Sequence, residues 1–424
     1  MVAGDPLARS ICGGIILVAA ALMTIGLVAV ASASASLEAP TLQTEFWKTP
    51  FGRQVVFAVL GFGVILLAVR IGHQPLALRP SADPASPGLK PGAPAVWLFL
   101  ATLVCLVLVL IPGIGVERNG ARRWLHFGGG AFALGFQPSE LAKLTLVIFL
   151  AAFLSARSAR GGLRSLPKDV LPAALAVGLC VGLVGTEDFG TAVLLAAVGG
   201  LMLLMAGARL AHLLLLAIPA LAAFAALLLA KPYRLQRLTA FADIWADPQG
   251  EGYHPIQSLI TIASGGVLGR GLGGGVQKYG YLPESRTDFV FAVWCEETGL
   301  VGALVVLLLF GLLLYLGTRA AAAAPSPFGR LLAMGVTLMI TLQAVMNLAV
   351  VTASAPTKGI ALPLVSAGGS GIIFLGASVG LLAGVALRGR YGESAAADQP
   401  GAAGSLMSLG ALDDGASGQT EAGG

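Results

Sequence analysis

The apolar run at residues 289–317, FVFAVWCEETGLVGALVVLLLFGLLLYLG, decides the fold, because only Glu296 and Glu297 in it are charged. A stretch of about 18 or more apolar residues can cross the roughly 30 Å hydrocarbon core of a bilayer as a helix. Strands of an outer-membrane barrel are about ten residues long and alternate in hydrophobicity, which this run does not. The sequence therefore predicts a membrane-spanning helix here.

Similar apolar runs recur along most of the chain. We predict ten membrane-spanning helices, at residues 11–32, 54–71, 95–112, 139–155, 170–186, 189–206, 211–230, 289–317, 329–352 and 369–388. An Ala/Ser tract follows the first run like a cleavage site, but the run is longer than the 7 to 15 apolar residues typical of a secretory signal, so we favour an uncleaved span. The expected fold class is an all-α polytopic membrane protein with one membrane domain, residues 11–388.

The composition supports this fold class. Of 424 residues, 56% are hydrophobic and 11% are charged, whereas an average soluble domain has about 25% charged residues. So few charges cannot cover a soluble fold of this length, and the apolar content excludes disorder of the whole chain. The net charge of +5 is spread between the apolar runs without a basic block, which predicts membrane orientation and no nucleic-acid binding.

The basic residues also predict the orientation in the membrane. With a cytoplasmic N-terminus at residues 1–10, most loop arginines lie on the cytoplasmic side, as the positive-inside rule requires. Both termini are then cytoplasmic, with a disordered tail at 389–424, and residues 231–288 form a long outer loop between the seventh and eighth helices. Several basic residues on the outer side violate the rule and need another reason: Lys48, Arg53, Arg118, Arg122, Arg123, Lys143, Lys231, Arg234, Arg237, Arg270, Lys278, Arg286 and Lys358.

The first of three unusual outer segments combines GARRW (120–124) with QPSELAK (137–143). Adjacent arginines beside Trp124 can bind phosphate oxygens next to an apolar or sugar face. Glu140 and Lys143 lie three residues apart and can pair on one face of a helix. The alternative is an ion-paired helix start with no further role.

The second segment, YLPESRTDF (281–289), comes directly before the eighth predicted helix. Asp288 either caps that helix or serves as a reactive carboxylate at the water boundary. Glu284, Arg286 and Glu297 bring further charges to the edge of the bilayer, and charges there favour a functional role.

The third segment, PTKGIALPLVSAGGS (356–370), contains two prolines and many small residues. Because such a composition does not continue a helix, we expect a folded-back loop that presents Lys358 as a fixed cation. The glycine-rich stretch at 269–275 superficially resembles a phosphate-binding motif. No strand precedes it, so a flexible turn is expected instead.

In order and spacing, these segments resemble the SEDS family of cell-wall polymerases, which includes FtsW, RodA and SpoVE. The resemblance covers about residues 10 to 388. The motifs that carry it are GARRWL (120–125), QPSELAKL (137–144), the run at 281–292, EETGL (296–300) and PTKGIALPL (356–364). The ARRW and PTKG forms are more similar to the division branch, FtsW, than to the elongation branch, RodA.

The resemblance implies a glycosyltransferase that polymerises lipid II into glycan strands at the outer face of the cytoplasmic membrane, at the division septum, by inverting transfer with release of polyprenyl diphosphate. The implied partners are lipid II, the nascent strand, a class B penicillin-binding protein and other divisome membrane proteins. Asp288 is the implied base. The implied substrate contacts are Arg122, Arg123, Trp124, Glu140, Lys143, Glu297, Lys358, Ser366 and Ser370. No metal ligands are predicted, and whether Mg²⁺ or Mn²⁺ assists the diphosphate stays open.

Some positions depart from the family's usual residues: Arg286 replaces His, Thr186-Glu187 replaces Gln-Pro, Ala367 replaces Tyr and Gly371 replaces Ser. The charge of Arg286 is expected to lower the pKa of Asp288. A lipid II flippase, an elongation-type polymerase and a non-catalytic scaffold stay open as alternatives. Polar residues that cluster at one membrane face, without a repeat or a path across the bilayer, favour surface chemistry over transport.

Overall fold

The computed structural model describes residues 5–35, 49–77, 93–118, 120–127, 134–158, 163, 165–229 and 232–391. Within them the chain forms twelve α-helices: α1 (Pro6–Ala35), α2 (Pro50–Ile71), α3 (Pro94–Leu110), α4 (Pro138–Ser158), α5 (Leu171–Gly185), α6 (Phe189–Met205), α7 (Leu210–Leu229), α8 (Pro232–Ala242), α9 (Tyr253–Gly265), α10 (Val290–Ala322), α11 (Pro327–Val351) and α12 (Ser370–Leu387). The predicted tail lies outside the described residues from position 392 onward, as do residues 1–4 of the predicted N-terminal segment.

An α-helix lies at each of the ten positions where a span was predicted. Among the described residues, seven helices are long and apolar enough to cross a membrane: α1, α2, α4, α5 with the turn before it, α10, α11 and α12. Helices α3, α6 and α7 are apolar but shorter. The predicted polytopic helical fold is therefore confirmed, and the chain folds as a multi-pass membrane protein.

Capping residues and prolines determine where several helices begin. The side chains of Thr49 and Ser326 accept hydrogen bonds from the N–H groups of Gly52 and Gly329 at 3.0 and 3.1 Å. A proline follows each cap, and its fixed φ and missing N–H suit the first helical position. Helix α6 begins at Asp188, whose carboxylate accepts the N–H of Thr191 at 3.0 Å.

Small residues let α2 and α12 pack closely against each other. A Cβ atom on Gly376 would lie 2.6 Å from the carbonyl oxygen of Gly61, and one on Gly380 would lie 2.5 Å from that of Ile65. In lipid, where apolar surface gains little by association, such close backbone contact stabilises helix pairs.

Two features of the predicted loops were not expected from the sequence. An antiparallel sheet, in the order β1 (Gly115–Arg118), β2 (Ala121–Phe127) and β3 (Leu134–Phe136), lies between α3 and α4. Helices α8 and α9 occupy part of the predicted outer loop 231–288. None of these elements contains a long apolar run, so hydropathy does not reveal them.

The segment between α11 and α12 folds back into the bundle as an irregular loop, as predicted. The side chains of Ile360, Leu362, Leu364 and Val365 in it are buried. The loop meets β2, α8, α9 and the first residues of α4, α6, α10 and α12 at one end of the bundle. We call this end the cavity face.

The glycine-rich stretch 269–275 is an anchored turn. Its N–H groups at Arg270 and Gly271 donate to the carbonyl oxygens of Glu296 and Glu297, both at 3.0 Å. The predicted turn is present. Because α10 is broken at this point, the carbonyl groups of Glu296 and Glu297 lack helical partners and accept hydrogen bonds from the turn instead.

Candidate active site

A cavity of about 1060 Å³ opens at the cavity face. It collects side chains from all three unusual outer segments of the sequence. The predicted site residues that line it are Arg123, Trp124, Glu140, Lys143, Asp288, Lys358 and Ser366. Arg122, Glu297 and Ser370 do not line it.

Asp288 lies two residues before α10, and its carboxylate is turned into the cavity. It does not cap the helix, because the N-cap position is Phe289 and no side chain makes a cap hydrogen bond there. Among the described residues, no hydrogen bond or ion pair engages the carboxylate. A Cβ atom on Gly359 would lie 3.2 Å from Asp288 Oδ2 and 3.6 Å from Arg123 Nη1. The capping alternative is therefore wrong, and the carboxylate, which has no partner in the part of the chain that the structure describes, faces the Arg123 guanidinium across Gly359.

Burial raises the pKa of Asp288 from an ordinary 3.8 to about 7, and the carboxylates of Glu284 and Asp188 add to the rise. The guanidinium groups of Arg123 and Arg237 oppose it. The prediction that Arg286 lowers this pKa is wrong, because the cations that act on Asp288 are Arg123 and Arg237 and Arg286 is not one of them. A group with a pKa near 7 can accept a proton efficiently at neutral pH.

The backbone around Asp288 is held from the α11 side. Asn347 Nδ2 donates to the carbonyl oxygens of Asp288 and Ile360 at 2.8 and 2.7 Å. The Ser366 hydroxyl donates to the carbonyl oxygen of Thr287 at 2.6 Å and accepts the N–H of Leu362 at 2.8 Å. Ser366 therefore lines the cavity but uses its hydroxyl to join two loops, which does not suit the predicted substrate contact.

Two cations, Lys358 and Arg123, line the same cavity as Asp288. The Lys358 ammonium lies 5.0 Å from the centre of the Phe189 ring, and burial lowers the pKa of this lysine. Within the described part of the chain, Lys358 makes no ion pair. Arg123 Nε donates to the carbonyl oxygen of Glu187 at 2.9 Å, which directs its Nη1 toward Gly359. These cations can bind an anionic group inside the cavity that also contains the Asp288 carboxylate.

The predicted pair of Glu140 and Lys143 is present at the inner wall of the cavity. Lys143 Nζ lies 2.8 Å from Glu140 Oε1 and donates to Gln343 Oε1 at 2.7 Å. A Cβ atom on Gly371 would lie 3.0 Å from the second oxygen, Glu140 Oε2. The glycine at 371 therefore leaves room directly beside this carboxylate.

The three remaining predicted contacts have other partners. Because successive strand residues point to opposite faces, Arg122 turns away from Arg123, and its Nε lies 3.4 Å from Glu117. Glu297 is 2% exposed and pairs with Lys278 inside the protein. Ser370 Oγ accepts the N–H of Gln137 at 3.3 Å. Their own contacts within the protein explain why these side chains do not face the cavity.

Several cavity residues were not assigned to the site from the sequence: Asp188, Arg237, Glu251, His254 and Gln343. Gln343 and Asn347 lie four residues apart in the apolar α11. Two amide side chains on one face of an apolar helix could have indicated a polar site from the sequence alone. Helices α8 and α9 contribute Arg237 and His254, whose position depends on the tertiary fold. Among the described residues, no group of three or more His, Cys, Asp or Glu side chains could hold a metal ion.

Comparisons with family models and with known proteins indicate the same family. The model of the cell cycle protein family FtsW/RodA/SpoVE matches residues 14–391. The chain is 37% identical over 381 residues to stage V sporulation protein E of Bacillus subtilis, covering 89% of this chain and 97% of that protein. It is 43% identical over 372 residues to a probable peptidoglycan glycosyltransferase FtsW of Halorhodospira halophila, covering 86% of this chain and 88% of that protein.

Among solved structures, the chain is similar to one chain of a peptidoglycan synthase complex described as coordinating polymerization and crosslinking. The TM-score is 0.68 at 33% sequence identity, and the match covers 91% of this chain and 98% of the other. The family match covers most of the sequence, and the structural match extends over the same helices. The chain therefore belongs to the FtsW/RodA/SpoVE family, that is, the SEDS family.

Proposed function

We propose that this chain is a peptidoglycan glycosyltransferase of the FtsW type, which polymerises lipid II at the outer face of the cytoplasmic membrane during cell division. The observation that carries the proposal is the Asp288 carboxylate, which has no protein partner among the described residues and lies in a cavity that also presents Arg123 and Lys358. Family membership supports the class of reaction. The cavity supports the proposal with the groups that this reaction needs.

In the proposed reaction, Asp288 accepts the proton of the 4-hydroxyl group of one lipid-linked disaccharide. The hydroxyl oxygen bonds to the anomeric carbon of the growing strand, while the bond from that carbon to polyprenyl diphosphate breaks with inversion. The diphosphate leaves with the electron pair, and Arg123 and Lys358 stabilise its charge. A diphosphate is a good leaving group, so the step needs a base but no general acid.

We also propose that the cavity opens to the outside and that both termini are cytoplasmic. Arginines at the opposite end of the helices support this orientation through the positive-inside rule: Arg70, Arg157, Arg209, Arg319, Arg330 and Arg388. The similarity to a chain of a peptidoglycan synthase complex supports a class B penicillin-binding protein as partner. The similarity to FtsW proteins supports a place at the septum with other divisome membrane proteins.

The test combines the purified chain, its cognate class B penicillin-binding protein with the crosslinking serine replaced, and lipid II. We expect glycan strands that a muramidase digests. A flippase would instead move lipid II across vesicle membranes without forming polymer, and a scaffold would do neither. Complementation of strains depleted of the division or the elongation polymerase distinguishes the FtsW type from the elongation type. A folded chain that binds its partner and yields no polymer would overturn the proposal.

A further inference from the structure

A buried charged cluster lies behind the cavity, between α1, α10 and the loop after α9. Lys278 Nζ lies 2.7 Å from Glu297 Oε1, and the two side chains are 2% and 1% exposed. The ammonium also donates to Ser32 Oγ at 2.7 Å and to the carbonyl oxygen of Gly273 at 2.8 Å. The Ser32 hydroxyl donates to the same Glu297 oxygen at 2.5 Å. Burying two charges costs free energy of desolvation even when the charges pair. We therefore ask what this cluster, which lies outside the cavity, contributes to the protein.

The cluster lies where α10 changes direction. Gly299 has φ 67° and ψ −162°, which separates residues 290–298 from the rest of the helix. A side chain at this position would collide with the neighbouring loop, since a Cβ atom on Gly299 would overlap the backbone nitrogen of Gly269. Residues 290–298, which we call the upper segment of α10, therefore form a short helix of their own. Asp288 precedes its first turn, and Glu297 belongs to its last turn.

The loop before Asp288 is bound to the same end of the upper segment. Glu296, with 0% of its surface exposed, accepts the N–H groups of Val276 and Gln277 at 2.9 and 3.3 Å. Lys278 then pairs with Glu297, nineteen positions further along the chain. The two contacts close the base of a loop that contains Glu284 and Asp288.

We propose that Lys278, Glu297 and Ser32 are positioning residues for Asp288, because they fix the far end of the upper segment of α10. Asn347 and Ser366 hold the backbone at the start of this segment. Because contacts hold both ends of the upper segment, its orientation is fixed. The Asp288 carboxylate then keeps its position opposite Arg123. A misplacement of about 1 Å costs on the order of 100-fold in rate. The inference rests on the proposed function, in which Asp288 is the base.

The main test is the double variant Lys278→Met with Glu297→Gln, which removes both charges and leaves no unpaired charge in the interior. We expect kcat for lipid II polymerisation to fall about 10- to 100-fold. KM should change by less than about twofold, because the proposed diphosphate contacts, Arg123 and Lys358, lie on other elements and stay in place. The control is Arg157→Met with Asp169→Asn, which removes an ion pair of 3.5 Å near the opposite end of the bundle. The control should keep the parental kcat.

The pH profile separates positioning from general stability. The charged and titratable groups that line the cavity with Asp288 are Glu284 on its own segment, Asp188 before α6, Arg123 on β2, Glu140 and Lys143 on α4, Arg237 on α8, Glu251 before α9, His254 on α9 and Lys358 on the folded-back loop. If the upper segment loses its direction, Asp288 becomes better hydrated, and the midpoint of the acid limb of kcat moves below that of the parent. A loss of stability alone lowers the amount of folded protein and leaves this midpoint unchanged.

Ser32→Ala provides a second, milder variant that keeps the ion pair, and it carries the test if the double variant does not fold. We expect kcat to fall by about threefold to tenfold, in the same direction as in the double variant. Parental kcat and parental midpoint in the folded variants, with an active parent, would overturn the positioning role and leave the proposed function intact. A parent that shows no polymerisation with its partner would instead overturn the proposed function, and this inference with it.

Discussion

The pH dependence of polymerisation should change when Glu284 is replaced by Gln. In the parent, burial and the Glu284 and Asp188 carboxylates raise the pKa of Asp288 to about 7. If deprotonated Asp288 is the active form, about half of the molecules are active at pH 7 and about one tenth at pH 6. The rate should therefore rise with pH and level off above about pH 8.

Glu284→Gln removes one of the two carboxylates that raise this pKa and keeps an oxygen that can accept the hydroxyl of Thr287, as Glu284 Oε2 does at 2.7 Å. Burial is the largest cause of the rise, so only part of it should disappear. We expect the midpoint of the acid limb to move down by about half to one pH unit. At pH 6 the rate should rise about twofold to fivefold relative to the parent.

The assay is the initial rate of lipid II polymerisation between about pH 5 and pH 9, with the partner protein present and lipid II saturating. The exposed carboxylate of Asp243 provides the matched control, and Asp243→Asn should leave the profile unchanged. An upward shift of the midpoint in Glu284→Gln, or no shift, would refute the reasoning that the Glu284 charge acts on a catalytic Asp288.

Three further predictions follow from the cation pair, the orientation and the helix packing. Lys358→Ala and Arg123→Ala should each reduce kcat/KM for lipid II by about tenfold or more, whereas Arg319→Ala at the opposite end should not, as measured at matched amounts of folded protein. A cysteine at the exposed Gln249 should label with a membrane-impermeant thiol reagent in intact spheroplasts, and one at Arg319 only after permeabilisation; the reverse pattern would contradict the proposed orientation. Gly376→Val should push α12 away from α2, reduce the free energy of unfolding by about 1–3 kcal/mol and lower the melting temperature of the purified protein. An unchanged melting temperature would contradict the close packing described for these helices.

Hydropathy located the spans because an apolar run of sufficient length is itself the physical requirement for crossing a bilayer. The same reasoning could not find α8, α9 or the small sheet, whose short elements depend on tertiary contacts. Without the strand, the opposite directions of Arg122 and Arg123 could not be predicted, and both were expected to bind substrate. The backbone N–H of Arg122 binds Glu187 Oε2 at 2.9 Å, a contact between segments 65 positions apart.

The charged residues at 284–297 show the same limit. Their position at the bilayer edge correctly indicated Asp288 as a residue to examine, and it lies in the cavity without a partner among the described residues. Glu297 has the same sequence signal but is paired with Lys278. The partner comes from a loop whose course is fixed by the break at Gly299. The sequence pattern alone therefore could not distinguish a buried, paired carboxylate from one that faces the cavity.

The most direct test of the central claim compares the parent with Asp288→Asn in a purified complex with the crosslinking-deficient partner and lipid II. Asn keeps the shape of the side chain, and no hydrogen bond to the carboxylate within the described residues is lost, so folding and partner binding should be unchanged. Loss of a general base reduces rates by about 10²- to 10⁴-fold. The account predicts glycan strands from the parent and at least a roughly 100-fold lower rate from the variant. Equal polymer yields from equally folded samples would contradict it.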